Sequence, residues 1–194
     1  MNFWNSAENC ESYIQLADGY DGKELLEHFH KYISKGSKVL ELGMGPGKDL
    51  DMLREDYQAV GTDYSDFFVK RYKELHPDAD VRQADAITLE GIPSKDESLF
   101  DAVYSNKVLQ HLTKEEAQRS LENQAKIIKD GGYLFHALWY GEKIEHHKGL
   151  LFTQYTENSI RELLPDNIHL ESFEMYDEMG KNDSLWVLLQ KRSD

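Results

Sequence analysis

Three features of the sequence predict an α/β fold built on a doubly wound, mostly parallel sheet. Short β-like runs alternate with amphipathic helical stretches five times. The first run leads straight into a glycine-rich turn, Gly43-Met44-Gly45-Pro46-Gly47, that opens a helix. The run over 133–140 is apolar almost throughout, as in a strand covered on both faces. Two final β-like runs have no helix between them and should pair antiparallel. The expected sheet therefore has seven strands and closes with an antiparallel C-terminal hairpin.

The elements follow in order. The segment to about residue 20 is polar with scattered aromatics (Phe3, Trp4, Tyr13) and reads as a short helix or an arm over the domain. Asp21 caps a helix whose Leu25, Leu26, Phe29 and Ile33 share one face, and Gly36 ends it. Residues 38–42 are the first strand, and 49–57 a helix with Leu50 and Leu53 on one side. Residues 59–62 are the second strand, closing with Asp63. Ser65 caps a helix bearing Phe68, Tyr72 and Leu75, which stops before Pro77. Residues 81–84 and 100–105 are strands closing with Asp85 and Asn106. Thr113 and Glu116 form a capping box for a helix carrying Ala117, Leu121, Ala125 and Ile128, terminated by Gly131-Gly132. After the strand over 133–140 comes a Gly- and His-containing loop, 141–155. Thr156 caps a last helix with Ile160, Leu163 and Leu164. Strands over 168–176 and 185–190 flank a turn at 180–184.

Composition bounds the function. A chain of 194 residues with 40% hydrophobic content can build one domain core. No run of 18 apolar residues is present, so no membrane-spanning helix is expected. The first residues lack the basic and apolar regions of a secretory signal. The single cysteine, Cys10, leaves no internal disulfide and no Cys-rich zinc module, so the expected setting is reducing and cytoplasmic. A net charge of −14 disfavours nucleic acid and anionic membranes as partners.

Glu41, Asp63, Asp85 and Asn106 all fall at carboxyl ends of expected strands, where ligands of such sheets bind. The glycine turn departs from the dinucleotide fingerprint, because Lys48 stands where the third glycine should be. No Gly-Lys-Ser/Thr phosphate loop follows. A carboxylate at Glu41, just before the turn, opposes a pyrophosphate and favours a cationic ligand.

The chain resembles the class I S-adenosylmethionine-dependent methyltransferases. Val39-Leu40-Glu41-Leu42-Gly43-Met44-Gly45-Pro46-Gly47 resembles the family's first motif. Val60-Gly61-Thr62-Asp63-Tyr64-Ser65 resembles the acidic end of its second strand, and Ala84-Asp85-Ala86 its adenine-contacting motif. Phe100-Asp101-Ala102-Val103-Tyr104-Ser105-Asn106 and Val108-Leu109-Gln110-His111-Leu112 resemble its fourth strand and following helix. Lys129-Asp130-Gly131-Gly132-Tyr133-Leu134 resembles the entry to its fifth strand. The ordered set covers about 36–140; the flanks match only loosely.

The resemblance implies a Rossmann-like fold and S-adenosylmethionine as cofactor. It places Glu41 beside the sulfonium and ammonium and Gly43, Gly45 and Gly47 around the ligand. Asp63, 63 − 43 = 20 residues after Gly43, has the spacing of a ribose carboxylate. Asp85 and Ala86 meet the adenine edge, with Tyr64 and Leu109 sandwiching its ring. Asn106 meets the methionine end, and Tyr13 is a candidate for its carboxylate by analogy. One domain is expected over 1–194: a helical arm or lid (1–35), a cofactor-binding core (36–140), and a substrate-side loop, helix and strands (141–194).

The chemistry at the methyl acceptor is less legible. His136, His146, His147 and Tyr155 are candidate acid, base or positioning groups, while His111 reads as packing. Trp139 and Tyr140 are either core or a pocket wall. His146 and His147 are adjacent, point apart and lack a third ligand, so no metal is expected. Asn106 is followed by Lys107-Val108-Leu109, not by the Pro-Pro-aromatic of amino-methylating DNA enzymes. The expectation is methyl transfer to a small molecule. The alternatives are a non-catalytic cofactor-binding partner or scaffold, and a nicotinamide-dependent oxidoreductase.

Overall fold

The computed structural model describes residues 3–93 and 97–193. Seven strands form one sheet in the order β3-β2-β1-β4-β5-β9-β8. They are β1 (Lys38–Leu42), β2 (Gln58–Asp63), β3 (Asp80–Gln83), β4 (Phe100–Asn106), β5 (Ile128–Trp139), β8 (Ile168–Tyr176) and β9 (Ser184–Lys191). The strands β1 to β5 run parallel, and β9 is antiparallel to both β5 and β8. Helices α1 (Ala7–Leu16), α2 (Lys23–Phe29), α3 (Lys48–Asp56), α4 (Asp66–Leu75), α5 (Lys114–Ile127) and α6 (Glu157–Arg161) connect and flank them. Among the described residues no helix is long and apolar enough to cross a membrane.

Alternation along the strands builds a core on each face. Leu40, Val103, Leu134 and Val187 face α5 and α6, packing with Leu121, Ala125 and Ile160. Their neighbours Val39, Ala102, Phe135 and Trp186 face the other way, against Leu25, Leu26, Phe29 and Leu53 of α2 and α3. Both faces are covered, which is why these strands read as continuous apolar runs.

Local expectations and structure differ at identifiable places. Helix α2 ends at Phe29 instead of near Gly36, and tighter turns carry the chain on to a still-buried Ile33. Its N-cap is Gly22, while Asp21 Oδ1 accepts from the Lys23 N–H one position earlier. Ser65 occupies the N-cap of α4 but makes no side-chain cap bond; its hydroxyl lies 3.3 Å from the Cys10 thiol. Leu75 closes α4 at 62% exposure, past the edge of the core. The capping box of Thr113 and Glu116 opens α5, which gives way to strand at Ile128. Gly131 and Gly132 therefore lie inside β5, where its register against β4 shifts. A Cβ on Gly132 would sit 2.9 Å from the Asp101 carbonyl, so only glycine allows this close approach.

The segment expected as a loop contains a separate hairpin, β6 (Ile144–His147) with β7 (Leu150–Thr153). Its two-residue turn places Lys148 at φ 49 and Gly149 at φ 83, both left-handed. A lysine at the first of these positions hides the turn from composition rules, which look for Asn or Asp there.

Candidate active site

The order of strands reverses between β1 and β4, and a crevice at their carboxyl ends follows from that topology. A cavity of about 550 Å3 lies there. Its floor is the turn after β1. Gly43 and Gly45 adopt φ of 69 and 51, and a Cβ on Gly43 would lie 2.6 Å from Val108. Above Gly45 the space is open as far as Tyr13, 3.7 Å from where a Cβ would stand. Gly47 serves packing instead: it caps α3 at φ 91, and a Cβ would collide with the Tyr72 ring at 2.2 Å.

Asp63 ends β2 at the cavity. Its Oδ2 accepts from the Gly45 N–H and its Oδ1 from the Ser65 N–H, both at 2.8 Å. Burial pushes this carboxyl up to about 6, against the pull of those two N–H groups. Tyr64, Asp85 and Ala86 line the next stretch of wall. Asp85 Oδ1 accepts from the Ile87 N–H at 2.7 Å, and the Ala86 carbonyl accepts from Ser120 of α5 at 2.6 Å. Asn106 also lines the cavity and donates to Asp49 Oδ2 at 3.0 Å. Burial, then Asp63, Asp49 and Glu178, raise the phenol of Tyr13 on the facing wall.

Several candidates lie elsewhere. Glu41 is buried behind the turn and does not line the cavity. Burial raises its carboxyl well above the usual range, with Asp49, Asp63 and Asp51 adding to the effect. Leu109 points into the core, while Val108 and Leu112 beside it face the cavity. His136 is buried in β5, its Nδ1 2.8 Å from Ser105 Oγ, and burial lowers it to about 3. Tyr155 is buried with its hydroxyl donated to the Leu109 carbonyl, and burial raises its phenol. His147 stands exposed on β6 opposite Leu150, whereas His146 reaches the cavity rim. Trp139 and Tyr140 stay off the cavity wall; the Lys107 ammonium sits 3.9 Å above the Trp139 ring.

The cavity also gathers residues that sequence reasoning set aside. Trp4, in the 3-10 turn Phe3–Asn5, packs edge-on against Tyr13 at 5.2 Å and His111 at 5.8 Å. His111 Nδ1 lies 2.8 Å from the Leu151 carbonyl of β7. A carbonyl only accepts, so Nδ1 carries the hydrogen and Nε2 of the neutral ring carries the lone pair. Burial lowers the imidazole, partly offset by that carbonyl, which keeps it neutral near pH 7. The His111-Leu112 step after the fourth strand was the available signal. What made it a cavity residue is the hairpin, which closes over it.

Residues 40–134 match a family model described as a methyltransferase domain. Phosphoethanolamine N-methyltransferase 1 of Triticum aestivum is 30% identical over 105 residues, covering 52% of this chain and 21% of that protein. The chain thus spans about one fifth of the length of that curated relative. Among solved structures, the Burkholderia thailandensis 1,6-didemethyltoxoflavin-N1-methyltransferase, holding 1,6-didemethyltoxoflavin and S-adenosylhomocysteine, superposes with a TM-score of 0.78 at 16% identity over 94% of this chain and 83% of that one. A Rhodobacter sphaeroides structure described as a candidate zinc-dependent alcohol dehydrogenase superposes with a TM-score of 0.79 at 14% identity over 100% and 99%. At such identities these structures speak for the fold alone.

Proposed function

We propose that the chain, whose residues 40–134 match a methyltransferase-domain model, is a class I S-adenosylmethionine-dependent methyltransferase that moves a methyl group to a small-molecule acceptor by in-line displacement. The cofactor is S-adenosylmethionine, which supplies when bound an electrophilic methyl on a cationic sulfur and brings no phosphate. The residues present fit such a group. The turn leaves open space over Gly45, and the carboxylates of Asp63 and Asp85 border the cavity. The observation that carries the reading is Asp63, held by two backbone N–H groups at the carboxyl end of β2, beside the β1–β4 switch point and on the cavity wall.

In this reading Asp63 accepts the ribose hydroxyls. Asp85 and Ala86 meet the adenine edge, with Tyr64, Val108 and Leu112 against its faces. Tyr13 and Asn106 face the methionine end. Phe3, Trp4 and Tyr13 of the arm and the β6–β7 hairpin close the cavity and exclude water, while α2 packs into the core, so arm and core act as one domain. Holding the reactants aligned supplies much of the rate enhancement, on a scale of roughly 7–11 kcal/mol. His111 acts as proton acceptor: its Nε2 lone pair would take the proton that the methyl acceptor sheds, while the electron pair of the broken carbon–sulfur bond would leave with the cofactor's sulfur. The cavity volume of about 550 Å3 and the net charge of −14 support a small acceptor over a nucleic acid.

Isothermal titration with S-adenosylmethionine, S-adenosylhomocysteine and NAD tests this. We expect micromolar binding of the two sulfur ligands, no response to NAD, and at least tenfold weaker binding by Asp63→Ala. Unchanged affinity in folded Asp63→Ala would remove that residue from the site. Once an acceptor is found, His111→Ala should lower kcat about 10²–10⁴-fold with cofactor affinity intact. Binding without turnover across amine, hydroxyl and thiol acceptors would favour the non-catalytic alternative.

A further inference from the structure

One residue of the cavity wall is held in a costly backbone conformation, and a network outside the cavity holds it there. Lys107 follows β4 with φ 60, a left-handed step that a side chain resists. Of the four described non-glycine residues with positive φ, Leu89, Lys107, Lys148 and Asn182, it is the one that lines the cavity. Its neighbours Asn106 and Val108 line the cavity too. Val108 packs on the glycine turn, where a Cβ on Gly43 would meet it at 2.6 Å, and the Asn106 amide donates to Asp49 Oδ2 at 3.0 Å. Three consecutive wall residues therefore take their direction from one left-handed step.

Strain of this kind persists only where the surroundings over-determine it, and here the surroundings come from β5, β8 and β9. The Lys107 N–H donates to the Ala137 carbonyl at 2.9 Å. Its ammonium donates to the Leu138 carbonyl at 3.0 Å and to Ser184 Oγ at 2.8 Å, and pairs with Glu178 at 2.8 Å. It lies 3.9 Å from the centre of the Trp139 ring and 5.4 Å from that of Tyr176. The Lys107 side chain is 12% exposed, so the charge depends on these partners. Glu178 is delivered by a built turn: the Glu178 and Met179 N–H groups both donate to Asp183 at 3.0 Å, and the Asn182 N–H to Asp177 at 2.6 Å. The Ser184 hydroxyl donates to Glu178 as well, at 2.8 Å. None of Trp139, Tyr176, Glu178 and Ser184 lines the cavity.

We propose that Lys107 is a positioning residue: its ammonium, gripped between β5 and the β8–β9 turn, holds the step after β4 left-handed and so keeps Asn106 and Val108 in the directions that bind the cavity's ligand. The inference takes its ligands from the cofactor reading above. It makes Glu178, outside the cavity, a determinant of ligand affinity. It also separates two roles of one side chain. If the ammonium touched the ligand, every residue without a cation would replace it equally badly. If it acts through the backbone, a residue that accepts left-handed φ by itself replaces it well. Asparagine accepts that conformation, and methionine, an unbranched chain like lysine, resists it.

The test compares the full chain with Lys107→Met, Lys107→Asn and Glu178→Gln, each checked for folding by urea titration. Calorimetry with S-adenosylmethionine and S-adenosylhomocysteine reads affinity, and hydrogen exchange of the ligand-free proteins reads the backbone over 106–112. Lys107→Met should bind about tenfold more weakly, the scale of strain at one left-handed residue, and exchange faster over 106–112. Lys107→Asn should stay within about threefold of the wild type in affinity and keep its exchange rates. Glu178→Gln should move both readouts in the direction of Lys107→Met, and it decides the matter if Lys107→Met fails to fold. Equal losses in Lys107→Met and Lys107→Asn would make the ammonium a ligand contact and overturn the proposal. Wild-type affinity and exchange in Lys107→Met and Glu178→Gln would overturn it too. If the wild type binds neither sulfur ligand, the cofactor reading falls, and exchange in the ligand-free variants still decides this inference.

Discussion

Replacing Asp63 by Asn should change how the stability of the ligand-free protein depends on pH. Burial lifts the Asp63 carboxyl from 3.8 to about 6, while the Gly45 and Ser65 N–H groups pull it down. The folded protein therefore holds this proton more tightly than the unfolded chain does. The resulting stabilisation is fully present below pH 3.8 and is lost as pH rises through about 6. The shift, about 6 − 3.8 or some two units, corresponds to roughly 3 kcal/mol at about 1.4 kcal/mol per unit. Asparagine does not titrate, so relative to the variant the wild type should lose most of this, about 2 kcal/mol, between pH 4 and pH 7. The amide also offers one acceptor to two N–H donors, at a cost of about 1–3 kcal/mol. That cost is independent of pH and drops out of the slope. Urea unfolding followed by circular dichroism, at unit pH steps on both proteins without ligand, gives the difference curve. A flat curve, or one in which the wild type gains on the variant as pH rises, would refute the reasoning.

Two further predictions concern the scaffold under the site. Asp49→Ala leaves the wholly buried Tyr104 hydroxyl and the Gly22 N–H without their acceptor, and should lower stability by about 3–5 kcal/mol; a urea midpoint within error of wild type would contradict the network. Gly47→Ala and Gly36→Ala impose the same left-handed strain, at φ 91 and 82, but only Gly47 has the Tyr72 ring within 2.2 Å of the added carbon, with open space at Gly36. Gly36→Ala should cost about 1–2 kcal/mol and Gly47→Ala a further 1–3; equal melting temperatures would show that Tyr72 yields freely.

Much of this fold is legible locally. Thr113 and Glu116 announce α5 because a capping box closes within four residues. The carboxyl-end residues Asp63, Asp85 and Asn106 could be placed because strand alternation and the turn after each strand are short-range patterns. Where the expectations departed, a distant partner had intervened. Ser65 read as a cap, yet its hydroxyl meets the thiol of Cys10, 55 residues away in sequence. Leu109 read as an adenine contact, yet the Tyr155 hydroxyl reaches its carbonyl from beyond β7 and the side chain turns to the core.

The sequence by itself determined the strands of the main sheet and the helices around them, the parallel sheet with its antiparallel end, and the glycine turn with its carboxylates, but not the β6–β7 hairpin. Periodicity, capping and φ preference act over a few residues, so they are read without the rest of the chain except where, as at Lys148, an unusual residue takes the turn position. Tertiary structure alone decided which histidines reach the cavity, His111 on its wall and His146 at its rim. His111 reaches it because β7 supplies the Leu151 carbonyl and the arm supplies Trp4, while His136 is walled into the sheet. It also decided that Glu41 lies behind the turn with an unpartnered oxygen. Those outcomes depend on contacts between residues tens of positions apart, and desolvation and tautomer are set only once such contacts close.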